Sequence, residues 1–218
     1  MMRFTTTTFL ACLICAPVAA VAEVELSFYG GAQSAPHSDV IISGDDVIPS
    51  DDYFIGWEGR SFEPPPYYGL RATVWNSPTF GYGLDFTHTK IYPQEGDLPD
   101  GFDRLEFTDG LNTLTVNAYR RWQNQWGNVT PYVGGGVGVA IPHVEVEYEG
   151  AEETAGYQLT GPAATWIAGA SYPINDDWSV FGEYKGTYSM NTADLDSGGT
   201  LETNVITNAL NVGVSFRF

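Results

Sequence analysis

Three histidines carry most of the chemistry this sequence offers. His37, His88 and His143 are its only imidazoles in 218 residues. Each falls at the far end of a segment in which apolar and polar residues alternate, so all three are expected at one end of the folded chain. Imidazole ligates Zn, Cu, Fe and Ni, and nearby acids such as Asp39, Glu106, Asp109 or Glu145 would complete a divalent metal site. The plainer reading is that polar rims tolerate histidine without giving it a task. Other chemistry has less to stand on. There is no G-x-S-x-G motif, and both cysteines, Cys12 and Cys15, lie near the N-terminus in a segment expected to be removed. Gly134-Gly135-Gly136 sit within an alternating run with no helix after it, so they form no phosphate loop. Asp194 to Gly198 lacks the later glutamate of a calcium loop.

The elements that must position these residues read as strands. The last, Leu201 to Phe218, sets Leu210, Val212, Val214, Phe216 and Phe218 against Asn211, Gly213, Ser215 and Arg217. The same two-faced pattern appears at 23–37, 68–75, 80–87, 113–122, 132–141, 164–172 and 178–188. Long acidic loops alternate with the short turns Asn76 to Thr79, Asn124 to Asn128 and Pro173 to Asp177. Short turns on one side and long loops on the other belong to outer-membrane barrels, and a final aromatic such as Phe218 suits a closing strand that pairs with the first. The expected fold is all-β, an eight-stranded antiparallel up-and-down transmembrane β-barrel.

In that frame apolar faces meet lipid and polar faces fill a lumen too narrow for an open aqueous pore. Arg71, Asp85, Glu183, Lys185 and Arg217 read as an ion-pair network inside it. Strict alternation points His37 inward and His88 and His143 outward, which counts against one closed metal site; a bulge at Pro142 would turn His143 around. Any working surface is expected at the outward mouth.

The ends and the charge agree with that address. Arg3 and the mostly apolar run from Phe9 to Val21, ending Ala20-Val21-Ala22, read as a secretory signal cleaved after Ala22, leaving 23–218 as the barrel. No later apolar run approaches the roughly 20 residues a membrane helix needs. The 25 glycines and 14% aromatic residues suit short strands, tight turns and aromatic girdles. The formal charge of −18 makes nucleic acid an unsuitable partner. The acidic loops keep the surface solvated, with divalent bridging to lipopolysaccharide phosphates as a secondary role.

The segments V-E-L-S-F-Y-G-G-A-Q-S-A-P-H-S (24 to 38), W-E-G-R-S-F-E-P-P-P-Y-Y-G-L-R (57 to 71), R-L-E-F-T-D-G-L-N (104 to 112), T-P-Y-V-G-G-G-V-G-V-A-I-P-H-V-E-V (130 to 146), G-Y-Q-L-T-G-P-A (156 to 163) and T-N-A-L-N-V-G-V-S-F-R-F (207 to 218) resemble the alphaproteobacterial outer-membrane barrels described as lipid A oxidases. The likeness spans nearly the whole mature chain and is specific in its rim motifs. It implies oxygen-dependent oxidation of the proximal glucosamine of lipid A to an aminogluconate unit in the outer leaflet. The family supplies no catalytic set to carry over, so the site is read from the residues themselves. Such an oxidation normally calls for a metal or flavin. No dinucleotide signature is present, which leaves a divalent metal at the extracellular rim, with His37, His88 and His143 as candidate ligands.

Arg60 and Arg104 stand out in a chain poor in positive charge, since an arginine beside lipid A would pair bidentately with a phosphate or acidic sugar substituent. Taken singly, either reads first as an ion-pair partner of Glu58, Glu63 or Asp103. With Trp57, Phe62, Tyr67 and Tyr68 they form a sugar-and-lipid platform. The expected catalytic group is His37, Glu63, Glu106, Asp109 and His143, with Arg60, Arg104, Trp57 and Tyr67 binding substrate and the chain acting as a monomer. Two competitors stand beside this reading: a non-enzymatic OmpA-type structural or adhesion barrel, and a small hydrophobic-solute channel of the OmpW type.

Overall fold

The computed structural model describes residues 23–218; the expected signal segment with both cysteines lies outside the described residues. Eight long strands form the ring: β1 (Glu23–Ser34), β5 (Tyr68–Trp75), β6 (Phe80–His88), β9 (Leu111–Arg121), β10 (Thr130–Tyr148), β12 (Gly161–Pro173), β13 (Trp178–Asp194) and β14 (Thr200–Arg217). Each pairs antiparallel with its neighbour in that order, and β14 returns to β1 in register from Glu25↔Arg217 to Ser34↔Asn208. Phe218 continues the seam by exchanging backbone bonds with Val24. The ring therefore has no open edge along this seam, as a chain spanning hydrocarbon requires.

The alternation divides the two faces as expected. Leu210 and Val212 on β14 are 70% and 72% exposed, and Phe28, Leu70, Leu84, Val116 and Val137 share that outer face. Inside, Arg71 Nε donates to Asp85 Oδ2 at 2.7 Å, and its two terminal nitrogens donate to Glu183 at 2.9 and 2.7 Å. Lys185 Nζ donates to Asp85 Oδ1 at 2.7 Å, while Tyr29 and Tyr132 donate to Asp85 and Glu183. Each buried charge meets opposite charges and hydroxyls, the condition under which ions are tolerated away from water. Arg217 stands outside the expected network: two register positions below Arg71 along β1, it lies 3.8 Å from Glu23, whose carboxylate Arg121 binds at 2.9 Å. Glycine makes room for the interior rings. A Cβ on Gly69 would stand 2.0 Å from Tyr29 Cζ, and one on Gly134 would stand 2.5 Å from Tyr119 Cδ1.

The larger departure lies above the lipid-facing belt. The stretches read as polar loops contain six further strands: β2 (Ser38–Ser43), β3 (Asp51–Ile55), β4 (Trp57–Glu58), β7 (Tyr92–Pro93), β8 (Phe102–Glu106) and β11 (Thr154–Tyr157). β10 runs on unbroken past Ile141 to Tyr148, leaving β9 and β12 behind and pairing with β8 and β11 instead. Val40, Ile42, Ile55, Trp57, Phe102, Leu105, Val144, Val146, Leu201 and Val205 pack into one buried apolar cluster there. These residues escape notice in the sequence because they come in short groups, such as Val40-Ile41-Ile42 and Ile55-Gly56-Trp57, within stretches rich in acids and turn residues. Only strand alternation turns them to one side.

Candidate functional site

The apolar cluster fills the space above the lumen, so the chemistry-bearing residues are displaced from the mouth to the outer wall. On β10 the outward face reads Val137, Val139, Ile141, His143, Glu145, Glu147, with Val144 and Val146 turned inward to the cluster. His143 thus stands about 7 Å beyond Ile141 along the strand, just above the lipid-facing belt. There the apolar outer face of β10 gives way to polar residues. The outward direction expected for His143 holds, and no bulge at Pro142 turns it round: Pro142 stays in register with Leu111, and the one-residue shift between Ala140↔Gly161 and His143↔Tyr157 falls on the facing chain.

Among the described residues, one group of three His, Asp or Glu side chains is close enough to share an ion: Asp109, His143 and Glu145, with ligand atoms within 4.8 Å of one another. His143 Nδ1 lies 3.3 Å from Glu145 Oε1, is shielded from solvent and has no hydrogen-bond partner. An imidazole lone pair facing two carboxylates, with no partner of its own, fits a divalent cation. Backbone holds the group together. His143 N–H donates to the Gly110 carbonyl at 2.9 Å, and the Tyr157 hydroxyl donates to the Asp109 carbonyl at 2.9 Å. Gly110, at φ 114°, makes the turn possible and also leaves space for His88, whose Nδ1 would lie 2.5 Å from a Cβ there.

Glu106 faces Glu145 directly across the β8–β10 ladder. Burial first, and then the neighbouring Glu145 charge, push its carboxyl above the ordinary glutamate range. Arg104 crosses the same face, 3.5 Å from Glu145 and 3.7 Å from Glu147, rather than pairing with Asp103. Arg60 carries φ 38° and lays its guanidinium 4.2 Å from the Tyr92 ring centre, and its Nε donates to Glu58 at 2.7 Å, one of the loop acids expected for it. Lys90 approaches the same ring at 5.4 Å and donates to the Glu63 carbonyl at 3.0 Å. Glu63, Glu106, Asp109 and Arg60 all act electrostatically on Tyr92. One patch of wall therefore gathers Arg60, Glu63, Lys90, Tyr92, Arg104, Glu106, Asp109, His143 and Glu145.

Four expected members are placed elsewhere. His37 is exposed rather than inward because β1 ends at Ser34 and its alternation does not extend three residues further. The ring stacks on Phe54 at 5.2 Å, with Nε2 3.9 Å from Asp97, in a separate groove with Asp39, Ile41, Met190 and Glu202. His88 faces outward as expected but is covered, with Nδ1 2.8 Å from Asn112 Oδ1 and its ring stacked on Tyr68. The three imidazoles therefore do not form one ligand set. Trp57 is buried in the apolar cluster, its Nε1 donating to Ser38 Oγ at 2.7 Å, and Tyr67 points into the barrel beside Tyr29. Neither is open to a ligand, because each packs as core, whereas Phe62 of the same expected platform stays exposed. Lys90 and Tyr92 were not singled out in the sequence; their one signal is that Lys90 is a lone cation amid acidic residues.

Fold and sequence together define an outer-membrane barrel. The chain belongs to the family described as Outer membrane protein beta-barrel domain, which it matches over residues 8–218. Among solved structures it is similar to OprG of Pseudomonas aeruginosa, at 11% identity over 92% of this chain and 97% of that one, TM-score 0.52. Neisserial surface protein A is 15% identical over 90% and 97% of the two chains, TM-score 0.48. Ail of Yersinia pestis is 12% identical over 90% and 99%, TM-score 0.44. At these identities the OprG likeness is one of fold alone. No curated protein matches the chain at a significant level.

Proposed function

We propose that the protein acts on lipid A in the outer leaflet, by oxygen-dependent oxidation of its proximal glucosamine to an aminogluconate unit. One observation carries the reading: the Asp109–His143–Glu145 group lies on the outer wall just above the apolar belt, with Arg104 3.5 Å from Glu145 and the charges of Arg60 and Lys90 acting on the same acids. A site for a soluble substrate would gain nothing from that position, whereas a glycolipid diffusing in the leaflet reaches it without leaving the membrane. A divalent metal held by Asp109, His143 and Glu145 would supply the oxygen chemistry. Glu106, whose carboxyl holds its proton above the usual pH range, is positioned to exchange a proton with a sugar hydroxyl.

The test is lipid A mass spectrometry on aerobic cultures of a deletion strain carrying the wild-type or His143→Ala chain. The expected result is an oxidised lipid A species with the wild type and its loss with the variant. Identical spectra from the wild-type and deletion strains would remove the enzyme reading. The family and fold are equally compatible with a non-enzymatic OmpA-type structural or adhesion barrel, and those spectra decide between the two. A solute channel has less to rest on, because the Arg71–Asp85–Glu183–Lys185 network crosses the lumen and the cavity beside Arg71 measures about 30 Å³.

A further inference from the structure

His143 and Glu145 stand two residues apart on β10, so the strand alone sets them side by side on its outer face. Asp109 has no such support. It belongs to the short turn 107–110 between β8 and β9, and its side chain is exposed. The Gly110 carbonyl, accepting from the His143 N–H at 2.9 Å, fixes one side of that turn, and Tyr157 at the end of β11 fixes the other. Tyr157 is itself held to β10: it faces His143 across the ladder, and the next residue, Gln158, donates its N–H to the Pro142 carbonyl at 3.0 Å. From that base its hydroxyl donates to the Asp109 carbonyl at 2.9 Å, while its ring meets the His143 imidazole edge-to-face with centroids 4.9 Å apart. One side chain thus touches two members of the group from a third segment of chain. It does so while 58% exposed, so core packing gives little reason for its place.

We infer that Tyr157 is the positioning residue of the Asp109–His143–Glu145 group: its hydroxyl holds the Asp109 turn where that carboxylate and the imidazole share one divalent cation. The hydroxyl proton is committed to a carbonyl, so Tyr157 acts through Asp109 rather than on the ion. The group is open from outside, since Asp109 is exposed and His143 and Glu145 are half-buried, and an ion reaches it without displacing a covering segment. Outer partners that orient metal ligands ordinarily account for about ten- to a hundredfold in affinity. A tyrosine that merely tied two loops together would change stability; a brace for one ligand changes the affinity and coordination of the ion, and only while Asp109 is present. The inference rests on the reading of this group as a cation site and adds which residue makes it one.

The experiment uses the untagged mature chain refolded in detergent micelles, as wild type, Tyr157→Phe, Asp109→Ala and the double variant. Cobalt(II) alone is the probe, its affinity read by calorimetry and its ligand set by visible absorption. Urea unfolding is recorded for each chain without cobalt. Tyr157→Phe keeps the ring and loses only the hydroxyl, so its urea midpoint should match that of wild type. It should bind cobalt about tenfold more weakly, with the absorption spectrum of the Asp109→Ala variant. The double variant should bind within about twofold of Asp109→Ala, because the hydroxyl then has nothing to position. Equal affinity and spectrum for wild type and Tyr157→Phe would overturn the brace and leave the cation site standing. Losses that multiply in the double variant would show Tyr157 acting independently of Asp109 and would overturn it as well. A lower urea midpoint with weaker binding and an unchanged spectrum would assign Tyr157 a purely structural role. Failure of the wild type to bind cobalt would remove the cation reading of the group, and the brace with it.

Discussion

Strand β14 passes through two opposite worlds within eighteen residues. In its lower part Leu210, Val212 and Val214 face out while Thr207, Asn211 and Ser215 face in; in its upper part Glu202 and Asn204 face out while Leu201 and Val205 face in. β10 makes the same exchange between Ile141 and Val144. The backbone does not change, only the medium around it. Where hydrocarbon surrounds the wall, apolar side chains lie outside and the narrow lumen holds a satisfied polar network. Where water surrounds it, the hydrophobic effect operates as in a soluble protein and pulls apolar residues to the centre. The candidate site lies at the crossover on β10. Its position follows from that exchange: on β10 polar residues appear on the outer face only once the apolar belt ends, so the lowest of them stand at its upper edge.

The contrast can be broken most forcefully inside the barrel. Asp85 receives Lys185, Arg71 and Tyr29, so Asp85→Ala leaves two buried cations with one carboxylate. The expected loss is about 3–5 kcal/mol, read as a lower urea midpoint for the protein in phospholipid vesicles. A sharper comparison uses one face of one strand. Leu210→Arg should cost about 2–4 kcal/mol because it drives a charge into hydrocarbon. Glu202→Arg, eight residues higher on the same face, should stay within about 0.5 kcal/mol. Equal urea midpoints for the two variants would mean that the belt has been placed wrongly.

The smallest effect concerns pH above the belt. Because the folded-state pKa of Glu106 lies above its unfolded value, the folded chain holds the proton more tightly, and stability falls as pH rises from about 4.5 through the folded pKa. Glu106→Gln removes that decline. In chelator, so that no cation offsets the charge, proteolysis of the outer lobe should increase across this window in the wild type more than in the variant.

The ring of eight was legible because each strand repeats a two-residue period over enough positions to separate the faces. Leu210 to Phe218 against Asn211 to Arg217 is enough to define a closing strand. Arg71, Asp85, Glu183 and Lys185 were legible as lumen residues for the same reason. The six outer strands were not. β4 and β7 have two residues each, too few for any period, and Val40, Leu105 and Val146 each stand beside an acid in a stretch that reads as loop. At the site, Glu63, Glu106, Asp109, His143, Arg60 and Arg104 were chosen by residue type and by their place near strand ends, and the fold gathers them. His37, Trp57 and Tyr67 were chosen on the same grounds and go elsewhere, since type and level along a barrel say nothing of position around it.

The sequence by itself determined the number of wall strands, which face of each meets lipid, and the end at which chemistry could sit, because all three depend on patterns local to a strand. Tertiary structure decided where around the wall the residues meet, that the mouth is packed with apolar side chains, and that the Tyr157 hydroxyl reaches the Asp109 carbonyl. Those facts depend on which segments, fifty or a hundred residues apart, come to share a surface, and a period of two along a single strand holds no record of that.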